Sequence, residues 1–184
     1  MVKKVQNQQP ASAPALNPSA AAAADEGFMR MALRLAERAG EAGEVPVGAV
    51  VVAEGRVVAR AWNQVELLKD GTAHAEMIAL TQAAAALGDW RLTGATLYVT
   101  KEPCAMCAGA MVNTRLSRVV FGCADPRCGC AGSVLGITDF PGMLHRVQVT
   151  GGVLGGECLE RLREFFRRRR QEERGKGAGV GAAP

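Results

Sequence analysis

Hydrophobic positions along this chain come in short blocks with two periods, and helix-like blocks alternate with strand-like ones. Residues 1–24 carry no apolar periodicity and are rich in Ala, Pro, Gln, Ser and Asn, which predicts a disordered tail. After Asp25, Phe28, Met31, Ala32, Leu33, Leu35 and Ala36 recur at helical spacing, predicting a helix to about residue 42. The β-branched run 47–52 predicts a buried strand, Glu54 and Gly55 a turn, and 57–62 the return strand of a hairpin. Residues 74–87 are mostly good helix formers. Beyond them, 95–100 reads as a strand, 105–113 as a helix and 119–122 as another strand. Residues 123–142 read as a loop with a short helical turn, 147–150 as a short strand, and about 156–174 as a last helix. A second disordered tail is expected over 175–184. The order α-β-β-α-β-α-β-β-α over 25–174 predicts one α/β domain, a three-layer α-β-α arrangement around a central mixed sheet.

At 184 residues the chain suffices for one domain with a substantial core. No stretch approaches the roughly 20 apolar residues that cross a bilayer, which argues against a membrane protein. The net charge of +4 is unevenly placed: residues 161–176 hold eight Lys or Arg against three Glu, so the rest of the chain is slightly acidic. Such a run is either a solvated helix end or a face for a polyanion such as nucleic acid. Five of the six cysteines lie between Cys104 and Cys130, and no secretory signal precedes them. Metal-binding thiols in a reducing cytoplasm are therefore expected instead of a disulfide framework.

The chemistry concentrates in two short segments, one with His74 and Glu76, the other with Pro103, Cys104 and Cys107. Thiolates and a neutral imidazole select zinc, and cysteines three apart share one side of a helical turn. Pro103 favours a helix start, which puts Cys104 where free amides and the helix dipole support a thiolate. His74 opens its own helix, and both segments follow strand-like runs, so they can meet at one end of the sheet. Three protein ligands leave a tetrahedral zinc one open position, where water is acidified to a pKa of about 7. Glu76, two residues past His74, is placed to relay the proton. Either motif alone suits a structural zinc knuckle or a redox pair; together they match the pattern of zinc nucleobase deaminases.

From about Phe28 to Arg170 the chain resembles the bacterial tRNA-specific adenosine deaminases of the cytidine deaminase superfamily. The likeness runs through Glu44, Val45, Pro46 and Val47, then Trp62 and Asn63, then the His74 and Cys104 segments. It continues through Gly109, Ala110 and Met111, Phe121 and Gly122, Ala131 to Ser133, and the closing Phe165, Phe166 and Arg167. The resemblance implies a cytidine deaminase-like fold and hydrolytic conversion of the wobble adenosine of a tRNA anticodon to inosine. It implies one zinc per subunit on His74, Cys104 and Cys107, with Glu76 as proton shuttle. It also implies a homodimer acting on the anticodon stem-loop of an arginine acceptor.

In the same family, Asn63 hydrogen-bonds the purine, although by itself it reads as a residue closing the hairpin. Asp125 either follows the target nucleotide's backbone or forms an Asp-Pro turn with Pro126. His145 either positions RNA or is a satisfied structural histidine. Arg168, Arg169 and Arg170 are candidate phosphate contacts. The chain departs from the family pattern at Cys123, Cys128 and Cys130, which read as small loop fillers, the alternative being a second metal site. The rival functions are a deaminase of free bases or nucleosides, of guanine or cytidine type, and a non-catalytic RNA-binding protein with a structural zinc.

Overall fold

In the computed structural model, which describes residues 18–178, a five-stranded sheet separates two helical layers. The elements are α1 (Pro18–Glu41), β1 (Gly48–Ala53), β2 (Arg56–Trp62), α2 (Val65–Leu68), α3 (Ala75–Leu87), β3 (Ala95–Lys101), α4 (Ala105–Asn113), β4 (Arg118–Cys123), a 3-10 turn (Ile137–Asp139), β5 (Gln148–Gly151) and α5 (Gly155–Ala178). The sheet order is β2-β1-β3-β4-β5. β1 pairs antiparallel with β2 and β3, whereas β3-β4 and β4-β5 are parallel, so the sheet is mixed as the element order predicted.

Strand periodicity divides the core in two. Ala49 and Val51 of β1, Leu97 and Val99 of β3, and Val119 and Phe121 of β4 face α3 and α4. Val50 and Val52, Tyr98 and Val120 face the opposite layer, where Met29 and Leu33 of α1 meet Cys158 and Leu162 of α5. Both faces of the central strands are covered, which is why they read as unbroken apolar runs.

Two boundaries differ from the sequence expectation. α1 starts at Pro18, so residues 18–24 are helical and not part of a tail. The alanines at 20–24 are the strongest helix formers, but without large side chains they show no apolar period. α5 likewise continues to Ala178, past the expected end at 174. The remainder of the expected tails, 1–17 and 179–184, lies outside the described residues. The four-residue α2 is an addition that no periodicity announced.

α1 is locked to the sheet by close approach and by charge. A Cβ on Gly48 would stand 2.1 Å from the Ala32 carbonyl oxygen, so only glycine lets α1 lie this near β1. Buried Asp25, inside α1, accepts two hydrogen bonds from Arg118 of β4, at 2.9 and 2.7 Å, and a third from the Tyr98 hydroxyl at 2.9 Å.

Candidate metal centre

The ends of β2 and β3 deliver their chains to the starts of α3 and α4 at one edge of the sheet. His74 is the N-cap of α3 and Cys104 the N-cap of α4, both with extended backbone. Cys107 lies one turn into α4 and is fully buried. His74 Nδ1 stands 3.7 Å from Cys104 Sγ and 3.5 Å from Cys107 Sγ, and the two sulfurs are 3.7 Å apart. Around a tetrahedral zinc with bonds of about 2.3 Å to sulfur and 2.0 Å to nitrogen, the S–S edge is about 3.8 Å and the S–N edge about 3.5 Å. The three donors therefore fit zinc without rearrangement. Among the described residues they form the one cluster of three or more potential ligands within 4.8 Å.

The electrostatics support a thiolate. Hydrogen bonding from Cys107 and from His74 pulls the Cys104 thiol down to about 3. Cys107, donating to Cys104 and buried, is pushed up. The hydrogen bond with Cys104 also raises His74, against the effect of burial. Glu76, in the first turn of α3, is 4% exposed, and burial raises its carboxyl above the ordinary range. A carboxyl raised by desolvation holds and releases a proton nearer neutral pH than an exposed one does.

These groups open into a cavity of about 350 Å³ lined by His74, Glu76, Cys104, Asn63, Lys101 and Phe166 among others. Asn63 is buried, and its Nδ2 donates to Glu44 Oε2 at 3.1 Å. Glu44 Oε1 also accepts from the Leu67 amide at 2.7 Å, which ties α2 to the cavity wall. One N–H and the carbonyl of the Asn63 amide remain for a ligand.

Asp125 also lines the cavity, and its carboxylate organises its own turn. It accepts from the Arg127 amide at 3.0 Å, from the Cys128 amide at 3.4 Å and from the Cys128 thiol at 2.8 Å, and it pairs with Lys101. Burial alone would raise Asp125, but the Cys128 thiol, Lys101 and the Arg127 amide outweigh it and hold the carboxyl well below the usual range. His145 Nε2 lies 2.7 Å from the Leu116 carbonyl, as a structural histidine would, and is not among the cavity-lining residues.

Three contributors have a role that the sequence alone did not assign. Glu102 is 1% exposed and accepts from the amides of Asp125, Ala131 and Ser133, at 2.9, 3.2 and 3.0 Å, and from the Ser133 hydroxyl. It is the post on which the cavity-walling loop hangs. Gly129 leaves room for it, since a Cβ there would sit 2.2 Å from Glu102 Oε2. Glu44 does the same for α2, and Lys101 is a cation at the cavity itself. The available signal was a glutamate directly after β3 and another at the head of the apolar run that leads into β1.

The arginines of α5 divide. Arg170 borders a neighbouring cavity, Arg169 stacks over Phe165 at 5.9 Å, and the Arg168 guanidinium lies beside Gly40 of α1. The structure does not bring the three together. Of the extra cysteines, Cys123 and Cys130 are buried, Cys128 is exposed, and none joins the ligand cluster.

Comparison with known proteins extends these observations. The model of the cytidine and deoxycytidylate deaminase zinc-binding region matches residues 22–123. The chain is 47% identical to the tRNA-specific adenosine deaminase of Bacillus subtilis, over 82% of this chain and 93% of that one. Among solved structures, a tRNA:A34 deaminase studied for A-to-I editing at the wobble position superimposes with a TM-score of 0.72 at 45% identity, covering 74% of this chain and 99% of that one. Guanine deaminase of Bacillus subtilis is similar to a lesser extent, with a TM-score of 0.52 at 38% identity over 54% of this chain and 64% of that one.

Proposed function

Since the chain belongs to the tRNA-specific adenosine deaminases, zinc enzymes of the cytidine and deoxycytidylate deaminase family, we propose a role in that reaction for each residue of the cavity. The reaction is hydrolytic: adenosine at the wobble position of a tRNA anticodon and water give inosine and ammonia. The observation that carries the reading is the His74, Cys104 and Cys107 trio, with zinc-sized spacings, beside a buried glutamate in a cavity large enough for a base.

His74, Cys104 and Cys107 would hold a zinc ion, which when bound would acidify a water enough for it to act as nucleophile at neutral pH. Glu76 accepts a proton at the site, presents one to adenine N1 so that C6 becomes electrophilic, and delivers one to the departing amino group. Asn63, its amide set by Glu44, hydrogen-bonds the purine edge. Asp125 shapes the turn beside the base and holds Lys101 at the mouth. The target base must leave its stack to enter, which costs less in an anticodon loop than in a duplex.

The enzyme acts as a homodimer in the cytoplasm. Val134, Leu135, Phe140, Met143 and Leu144 expose apolar surface within one loop, a surface that suits a second copy. None of the six cysteines is joined in a disulfide, which suits a reducing compartment. Among the described residues no helix is long and apolar enough to cross a membrane.

Incubation with an arginine-acceptor anticodon stem-loop carrying adenosine at the wobble position tests the reading. Inosine should form in the loop, with no turnover of free guanine or cytidine. Turnover of the free base or nucleoside, with the loop untouched, would transfer the assignment to the rival class.

A further inference from the structure

Cys128 is exposed, unlike Cys123 and Cys130, and it lines the catalytic cavity together with Lys101 and Asp125. Asp125 Oδ2 bridges the other two: it accepts from the Cys128 thiol at 2.8 Å and from the Lys101 ammonium. Lys101 Nζ lies 3.9 Å from Cys128 Sγ. The two groups come from separate elements, the end of β3 and the loop after β4, so the fold and not the local sequence makes them neighbours.

Other nucleophiles nearby are engaged. Cys130 is buried, and its thiol donates to the Cys128 carbonyl at 3.4 Å. The Gly129 amide, the backbone nitrogen next to Cys128, donates to the Asp125 carbonyl at 2.9 Å. Cys104 belongs to the metal trio. A sulfenic acid condenses with a thiol or a nitrogen in reach, and the side chain in reach of Cys128 is Lys101. Asp125 keeps both groups in reserve. Its hydrogen bond raises the Cys128 thiol, and burial adds to the effect. Burial alone would lower Lys101, but the bond to Asp125 outweighs it and raises the ammonium. The pair is therefore inert at rest and responds to a sustained excess of oxidant, not to traces.

We propose that Cys128 and Lys101 form an oxidative modification site, in which hydrogen peroxide converts the thiol to a sulfenic acid and the lysine condenses with it into a sulfenamide cross-link. In the first step peroxide gives one oxygen to sulfur, its O–O bond breaks and water leaves. In the second, the lysine nitrogen forms the S–N bond, the S–O bond breaks, and hydroxide departs with a proton as water. The ammonium gives up two protons, one to that water and one to solvent, and two electrons pass from sulfur to peroxide. The cross-link takes a positive charge from the cavity, deprives Asp125 of two donors and pulls the loop after β4 toward β3. Deamination stops until a thiol reductant cleaves the S–N bond.

Peroxide treatment of the zinc-loaded full-length protein tests the site, read by intact mass, peptide mapping, zinc content and inosine formation. The parent should become lighter by two hydrogens, with the Lys101 and Cys128 peptides joined and the zinc retained. Its turnover should fall about tenfold, and dithiothreitol should restore both mass and turnover. Cys128→Ser still donates to Asp125 but forms no sulfenic acid, so treatment should change neither its mass nor its own untreated turnover. Lys101→Arg should stop at a sulfenic acid that dimedone traps, with no joined peptides. A parent of unchanged mass, a sulfinic acid without joined peptides, or the same loss of two hydrogens in Lys101→Arg, as a disulfide would give, overturns the site. Equal loss of zinc and turnover in the parent and Cys128→Ser would place the oxidation at the metal ligands and also overturn it. Mass and peptide mapping involve no RNA; only the loss of turnover rests on the reading of tRNA as substrate, and an untreated parent that makes no inosine contradicts that reading alone.

Discussion

Glu102 shows what a single residue contributes and why sequence reasoning passed over it. His74, Cys104 and Cys107 stand out in the sequence because ligand chemistry is local: each residue type has few other reasons to recur at that spacing beside a helix start. Glu102 depends on partners 23 to 31 positions away, and nothing in its own neighbourhood announces them. Each of its oxygens accepts from two donors. In Glu102→Gln, one orientation of the amide turns its NH2 toward two backbone amides and the other toward the Asp125 amide and the Ser133 hydroxyl, so at least one backbone amide loses its acceptor and the substitution should cost about 1–3 kcal/mol. Denaturant unfolding of the zinc-loaded protein measures this, and an unchanged midpoint would count against the role. The extra cysteines argue the other way. Cys128→Ala and Cys130→Ala should each keep one zinc per chain, read by metal analysis, because neither sulfur belongs to the ligand cluster.

At the scale of elements, the alternating apolar runs were enough to place strands and helices, since burial on one or both faces leaves a period in the sequence. What left no period was missed. The alanine run 20–24 extends α1 to Pro18 through propensity alone, and α2 is held by the Glu44 carboxylate and not by an apolar stripe. The contact of α1 with β1 was also invisible, because it rests on the missing side chain of Gly48. Gly48→Ala would drive a methyl group against the Ala32 carbonyl oxygen and the Ala36 amide, at 2.1 and 2.6 Å. Both are helix backbone that cannot yield without moving α1. The expected cost is about 3 kcal/mol, visible as a lower melting temperature, with Asp25 and Arg118 partly separated. A variant as stable as the parent would show that α1 shifts freely.

For the whole molecule, the layer order followed from the succession of elements, whereas strand order and the parallel β3-β4-β5 pairing required the structure. The antiparallel pairing of β1 with both β2 and β3 sets the two ligand-bearing helix starts at one end of the sheet, and the parallel β3-β4-β5 pairing lays α5 along the cavity. Association belongs to this scale as well. Leu144 is 87% exposed in the apolar loop, and Leu144→Asp should convert a dimer to monomer in sedimentation at micromolar concentration. A parent already monomeric would remove the surface from consideration. The central claim is that Glu76 moves protons for a zinc centre that it does not ligate, and Glu76→Gln tests it most directly when zinc content and inosine formation are measured on one preparation. One zinc per chain, parental stability and inosine formation reduced by about 10,000-fold are expected. Near-parental turnover, or loss of the zinc, would contradict that claim.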